Sequence, residues 1–253
     1  KFNYINKIFV DRDDNLWICT ETGLIKKINN AFENFTVETG INEYVWSLVE
    51  DNDHNIWFAS YGDGLGVWDG EKFHRRNAYK KIYSTENGRY FYTGAIAATN
   101  NNLYFPVRDE GVLKYDGRNF SLLPNLPEGS VLDVFEDSLQ QRLLAASTAG
   151  LIIIEDYNDP VVYEYDFRDT RQFIKTIALD KLGRYWLGGE YMLTVMNGDK
   201  FMQFPDGEHN YDAGAVTIFR DHFDNLWLGT SAGLYFYDYQ KFKRVCTENI
   251  KSQ

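Results

Sequence analysis

One bulky anchor residue returns along the chain at Trp17, Trp57, Tyr104, Leu144, Trp186 and Trp227, at intervals of 40, 47, 40, 42 and 41 residues. Four of the six close a fuller motif: Asp11-x3-Asn15-Leu16-Trp17, Asp51-x3-Asn55-Ile56-Trp57, Asp180-x3-Arg184-Tyr185-Trp186 and Asp221-x3-Asn225-Leu226-Trp227. Two looser copies lie around Asn102-Leu103-Tyr104 and around Asp137 with Arg142-Leu143-Leu144. A period near 40 residues is that of propeller blades, units that cannot bury their apolar faces alone and therefore stack on one another. A repeat running from end to end argues for one architecture over residues 1–253.

Within the second copy, Val45 to Glu50 alternates, Asn55 to Ser60 follows a polar turn, Gly64 to Trp68 follows a Gly-rich turn, and Phe73 lies beyond Asp69-Gly70. This pattern predicts a meander of four antiparallel strands, a to d from the axis outward. The sixth copy repeats it through Ala215 to Phe219, Asn225 to Thr230, Gly233 to Tyr237 and Lys241 to Val245. Repeats are expected at about 4–36, 44–76, 94–123, 130–165, 172–204 and 214–246. Asp11, Asp51, Asp137, Asp180 and Asp221 are expected to accept backbone N–H bonds in the a–b turn, with Asn15, Asn55 and Asn225 in the left-handed conformation. Trp17, Trp57, Tyr104, Trp186 and Trp227 are expected to pack between blades. Gly23, Gly64, Gly111, Gly150 and Gly233 would permit a positive-φ bend before strand c.

These motifs resemble the two-component regulator propeller repeat, whose pattern runs from a turn Asp through Leu-Trp-Ile-Gly-Thr to Gly-Leu-Tyr. Leu16-Trp17-Ile18-Cys19-Thr20 with Gly23-Leu24, and Leu226-Trp227-Leu228-Gly229-Thr230 with Gly233-Leu234-Tyr235, match it best. Repeats three and four depart from it, with Tyr104 and Leu144 for Trp and Thr99 for the turn Asp, and the fifth has Met192-Leu193 near the Gly-Leu position. The resemblance implies an all-β propeller serving as the extracytoplasmic sensor of a bacterial hybrid two-component system, many of which respond to oligosaccharides.

How the ring closes is a separate question. Phe2 lies 9 residues before Asp11, whereas Phe32, Phe120 and Phe201 precede the next turn Asp by 19, 17 and 20, which leaves no room for a borrowed outer strand. The expectation is six four-stranded antiparallel blades, with a closed six-bladed ring favoured over part of a larger propeller. Cys19 and Cys246 fall in repeats that closure would make neighbours, so a disulfide between them is weighed against two free thiols.

A net charge of −11 and a pI near 4.9 oppose binding to nucleic acid or an anionic membrane. No run of about 18 apolar residues is present, and residues 1–10 lack a signal-peptide apolar region, so no direct membrane insertion by this segment is expected. The expected location is periplasmic or extracellular.

In such a ring the a–b and c–d turns share one face, and the b–c turns and d–a connections share the other. The repeats differ most on the second face, and variable loops on a rigid scaffold are where binding usually sits. Connections 77–94, 163–172 and 204–214 mix aromatic and charged residues there. Candidate ligand-binding residues are Tyr44, Trp46, Tyr61, Asp63, Tyr92, Arg108, Asp109, Arg171, Phe173, Glu190, His209 and Tyr211. Rings flanked by carboxylates and guanidinium groups suit a sugar, and Arg108 or Arg171 suits a uronate. The alternative for these residues is cover for blade edges and ordinary surface charge.

No His-x-His, His-Glu-x-x-His, Cys-x-x-Cys or Gly-x-Ser-x-Gly occurs, so neither a metal nor a cofactor is expected and no catalytic residue is assigned. His209 with Glu208 and Asp212 is the one general-base cluster weighed. The first reading is therefore a sensor module that binds an oligosaccharide or related small molecule and signals through other receptor domains or a homodimer contact. A propeller-fold enzyme, such as a lyase or glycoside-active protein, and a protein-interaction scaffold are the alternatives.

Overall fold

The computed structural model describes residues 4–29, 31–41, 44–60, 64–76, 96–97, 102–107, 110–148, 150–155, 161–162, 173–189, 191–204, 214–230 and 232–245. Six sheets, each of four antiparallel strands in chain order, form a six-bladed propeller, as the repeat spacing predicts. Blade 1 consists of Ile5–Val10, Leu16–Thr20, Gly23–Ile28 and Ala31–Phe35, and blade 2 of Val45–Glu50, Ile56–Ser60, Gly64–Trp68 and Phe73–Arg76. Blade 3 is Ile96–Ala97, Leu103–Val107, Gly111–Tyr115 and Phe120–Leu122, and blade 4 is Val131–Asp137, Arg142–Ser147, Gly150–Glu155 and Val161–Val162. Blade 5 is Thr176–Leu179, Tyr185–Gly189, Met192–Asn197 and Lys200–Phe204. Blade 6 is Ala215–Arg220, Leu226–Thr230, Gly233–Tyr237 and Phe242–Arg244. A single 3-10 turn, Val37–Thr39, interrupts the β-structure among the described residues.

The core is a series of layers between successive blades. Each anchor points toward the following blade: Trp17 packs with Leu48, Ile56 and Phe58, and Trp57 with Leu103, Phe105 and Leu113. Tyr104 meets Val134 and Leu143, Leu144 meets Ile177 and Leu187, and Trp186 meets Ile218, Leu226 and Leu228. All five of these anchors are buried. Trp57 also lies 4.8 Å between centroids from Tyr115 and 5.9 Å from Phe105, so one indole meets two strands of its neighbour. Burying a side chain of this size contributes about 2–3 kcal/mol.

A buried indole must also satisfy its N–H. The turn Asp does this within the same blade: Nε1 donates to the carboxylate at 2.7 Å for Trp17–Asp11 and Trp57–Asp51, 2.9 Å for Trp186–Asp180 and 2.8 Å for Trp227–Asp221. The other carboxylate oxygen accepts the turn N–H groups, as Asp11 does from Asp13 and Asn15. The left-handed residue of the turn differs from the sequence expectation. It is Asp14, His54 and Asp224, each one position before the Asn, with φ of 62°, 64° and 67°. Asn15 and Asn55 instead use their side-chain amides to donate to both oxygens of their Asp, and Asn225 donates to one. The five glycines before strand c all have positive φ, from 73° at Gly64 to 132° at Gly150.

Repeats three and four carry other residues at the anchor. Burial pushes the Tyr104 hydroxyl up to about 12, and Asn102, two residues before it, draws it down. In repeat four Leu144 has no N–H to offer, and the Asp137 carboxylate accepts the hydroxyl of Tyr185 from blade 5. Arg142 Nη2 donates to the same Tyr185 oxygen at 2.8 Å, so the missing intra-blade bond becomes an inter-blade one. Blades 1 and 2 have a further clasp: Glu50 accepts the Arg12 backbone N–H at 2.7 Å and lies 2.9 Å from His54 Nδ1.

The suggested staple between the chain ends is not formed. Cys19 is a free thiol buried in the layer between blades 1 and 2, facing away from blade 6, and burial pushes its pKa up to about 12. Cys246 lies outside the described residues.

Two substitutions test this packing scheme by urea denaturation. Trp57→Ala is expected to cost about 3–5 kcal/mol, the range for removing a fully packed large aromatic. Tyr185→Phe is expected to cost about 1–3 kcal/mol, because it strands the Asp137 carboxylate at a buried seam.

Candidate functional site

The a–b and c–d turns share one face, and their carboxylates are occupied by the scaffold. Besides the a–b set, Asp69, Asp116 and Asp238 each accept two backbone N–H groups in a c–d turn, for example from Glu71 and Lys72 at 3.0 and 2.9 Å. The indole of Trp227, followed by the Asn225 and Phe223 donors, overcomes burial and holds Asp221 at about 2. At Asp11, burial alone would raise the pKa, and the Trp17 indole with the Asn15 and Asp13 donors brings it below the ordinary carboxylate value. Several hollows among the described residues open on this face. One of about 420 Å³ lies between the inner strands of blades 4 to 6, bordered by Phe135, Leu139, Ile177, Phe219 and Arg220.

The opposite face is assembled from the b–c turns and the entry to each inner strand. The b–c turns are clamped by a hydroxyl at the end of strand b: Thr20, Ser147 and Thr230 donate to the carbonyls of Gly23, Gly150 and Gly233 at 2.9, 2.8 and 2.8 Å. The pattern Ser/Thr-x-x-Gly in these three repeats was the available sequence signal for that clamp. Near their entry, the inner strands of blades 1, 2, 4 and 6 slip register at Asn6, Trp46, Leu132 and Val216. A bulge of this kind re-aims the residue it carries.

Three of the twelve candidate residues lie within the described structure, all at inner-strand entries on this face. Tyr44 is exposed, has φ of 59°, and donates its backbone N–H to the Glu21 carbonyl of the blade 1 b–c turn at 2.8 Å. Trp46, half-buried, occupies the blade 2 bulge. Phe173 is exposed at the entry to blade 5, its carbonyl oxygen 2.2 Å from where a Cβ on Gly189 would stand, so that glycine is what allows the chain to pass. Tyr44 and Trp46 belong to one blade entry, and Phe173 lies three blades further on. Tyr61, Asp63, Tyr92, Arg108, Asp109, Arg171, Glu190, His209 and Tyr211 lie outside the described residues, as do Glu208 and Asp212.

The sequence reading passed over two inner-strand charges. Lys7 Nζ lies 3.3 Å from Ser47 Oγ, linking the inner strands of blades 1 and 2. Burial pushes Asp133 in blade 4 up to about 6, against the Lys7 charge and hydrogen bonds from the Ile177 and Val134 backbone. Both stand on the inner strands of their blades, Lys7 in Ile5–Val10 and Asp133 in Val131–Asp137. The only sequence signal was a charge at the centre of the apolar run Val131-Leu132-Asp133-Val134-Phe135. Among the described residues no group of three or more His, Cys, Asp or Glu is placed to hold a metal ion. No described helix is long and apolar enough to cross a membrane.

The model of the family described as Two component regulator propeller matches residues 1–22 and 39–62. No curated protein matches the sequence. Among solved structures, the chain is similar to an extracellular domain assigned to the hybrid two-component system BT4673 of B. thetaiotaomicron, at 16% identity and a TM-score of 0.65, over 93% of this chain and 38% of that one. It is similar to PorZ, a surface component of the type-IX secretion system of Porphyromonas gingivalis, at 16% identity and a TM-score of 0.72, over 93% and 38%. It is also similar to a catalytically inactive virginiamycin B lyase from Staphylococcus aureus, at 11% identity and a TM-score of 0.76, over 97% and 85%. The chain thus spans about two-fifths of the first two structures, and at these identities the likeness is one of fold.

The two kinds of carboxylate give opposite pH dependences. Asp133 has its pKa raised in the folded state from 3.8 to about 6, so the folded protein binds this proton more tightly and stability falls as pH rises through that interval. Asp133→Asn is expected to raise the melting temperature at pH 7 and to leave it unchanged below pH 3.8. Asp221 has its pKa lowered from 3.8 to about 2, so its contribution is present above 3.8 and is lost as pH falls toward 2. Asp221→Asn is expected to remove that part of the acid transition in a melting-temperature series.

Proposed function

Because the model of the two-component regulator propeller family matches residues 1–22 and 39–62, we propose that the chain is the ligand-binding sensory module of a bacterial signalling receptor, located outside the cytoplasm. The observation that carries this reading is Tyr44. A bulky residue with φ of 59° costs of order 1–3 kcal/mol, and such strain persists where the surroundings over-determine it, commonly at ligand-binding positions. Here the strained residue presents an exposed ring beside Trp46, which a bulge re-aims, on the face whose turns are not consumed by the repeat.

The proposed ligand is an oligosaccharide or a related small molecule. Exposed aromatic rings at Tyr44 and Phe173 can stack on the C–H faces of a sugar. Tyr61, Asp63, Tyr92, Asp109, Glu190, His209 and Tyr211 are proposed, from sequence alone, to bind its hydroxyls and rings. Arg108 and Arg171 are proposed to take a carboxylate where the sugar is a uronate. Occupancy would be transmitted through neighbouring receptor domains or a homodimer contact, which requires the ligand to favour one arrangement over another by a few kcal/mol. The extracellular placement is supported by the receptor-domain propeller to which the chain is similar.

The lyase of like fold keeps an enzyme reading in view, since virginiamycin B lyase has the highest TM-score of the three structures compared. At 11% identity this similarity carries no catalytic residues with it. A scaffold that binds protein on the same face is the third class.

A thermal-shift screen with neutral and uronate-containing oligosaccharides tests the proposal. A rise in melting temperature with one sugar class is expected, and Tyr44→Ala or Phe173→Ala should weaken that binding by about tenfold, the order of one lost stacking contact. Absence of a shift with every sugar would count against the ligand class. Turnover of the bound sugar would move the protein to the enzyme reading.

A further inference from the structure

The inner strands carry one polar level. Lys7, Ser47, Asp133, Thr176 and Thr217 each stand four residues before the turn Asp of blades 1, 2, 4, 5 and 6, and each is followed by Ile, Leu or Val. Strand register puts the five at one height, since each pairs with the residue two beyond the anchor: Cys19, Ala59, Ala146, Gly188 and Gly229. Those partners are all small. A Cβ on Gly188 would stand 2.8 Å from Thr176 Cγ2 and one on Gly229 2.5 Å from Thr217 Cγ2, so the glycines make room for the two threonines. The counterpart in blade 3 lies outside the described residues.

The blades of a propeller surround a central channel, and their inner strands form its wall. Here successive inner strands lie in contact from blade 1 to blade 6. The two charged members of the level are on different blades, Lys7 on the first and Asp133 on the fourth. Lys7 Nζ lies 3.3 Å from the Ser47 hydroxyl, and the Asp133 carboxylate accepts hydrogen bonds from the Ile177 and Val134 backbone. The cation and the carboxylate sense each other's charge but form no ion pair with each other. Burial holds Asp133 at about 6 despite Lys7, so a cation seated against this carboxylate relieves a cost that the protein itself leaves standing.

We propose that this level is a binding site for a small zwitterion, a molecule carrying one carboxylate and one ammonium, as a free amino acid does. The ligand's carboxylate meets the Lys7 ammonium and the Ser47 hydroxyl, its ammonium meets the Asp133 carboxylate, and Thr176 and Thr217 add hydroxyls on blades 5 and 6. A simple anion is repelled by Asp133 and a simple cation by Lys7, so the level selects a molecule that carries both charges. This site is separate from the aromatic platform proposed for sugars, because Tyr44 and Phe173 stand three residues upstream of Ser47 and Thr176.

The test is titration calorimetry at about pH 8, where Asp133 is ionised. The probes are glycine, β-alanine, γ-aminobutyrate and δ-aminovalerate, whose charges lie progressively further apart, with acetate and methylamine as single-charge controls. Binding is expected to peak at the member whose charge spacing matches the two poles, about tenfold tighter than either control. Asp133→Asn is expected to erase the advantage of that zwitterion over acetate, and Lys7→Met its advantage over methylamine. Melting temperatures establish that the variants are folded; should Lys7→Met fail to fold, Asp133→Asn and the probe series decide the matter. Absence of binding by all four zwitterions, a control binding as tightly as the best of them, or unchanged selectivity in Asp133→Asn would overturn the proposal.

Discussion

The propeller depends on one bond repeated in four of its six blades, the indole N–H of each Trp anchor donating to the turn Asp of its own blade. An indole is the largest apolar surface a strand can offer its neighbour, but its single N–H makes it costly to bury without an acceptor. Supplying that acceptor six residues upstream lets the whole ring system enter the inter-blade layer, while the same carboxylate closes the a–b turn. Strand pairing, turn geometry and blade stacking are thereby fixed together. The fourth repeat, which lacks the indole, shows the constraint from the other side: Asp137, left by Leu144 without an indole, takes the Tyr185 hydroxyl from the next blade.

This coupling explains why so much of the architecture was legible. Asp, Asn and Trp at fixed spacing have few joint structural solutions, and Val45–Glu50 and Gly64–Trp68 fall where the alternation and the positive-φ glycine put them. What sequence reasoning missed is conformational detail inside a motif. The left-handed position fell on His54 and Asp224 because the Asn side chain is needed by the carboxylate, which leaves the preceding residue to make the bend. Of the two alternatives weighed for Cys19, the free thiol is the one observed, because strand alternation sends it to the same side as Trp17, toward blade 2.

The candidate face was less legible because it is defined by differences between repeats, and differences have no period. Tyr44 and Phe173 could be named as aromatics near strand entries, but the left-handed backbone of one and the Gly189 contact under the other are tertiary facts. Asp133 and Lys7 were invisible as a pair, being 126 positions apart in the sequence and related only through the fold. The turn carboxylates, conspicuous in sequence, are saturated by N–H donors. In this chain, conspicuous acids mark scaffold, and the candidate aromatics stand at irregular positions of the opposite face.

Blade stability in a repeat array is nearly a sum over nearest neighbours, so an unpaired face matters chiefly to the blades that bear it. Blades 2 and 5, which hold Tyr44, Trp46 and Phe173, each have both inter-blade layers formed. Their strand entries are therefore braced from both sides. The axial charges are divided differently, since Asp133 lies in an interior blade while Lys7 belongs to a terminal one.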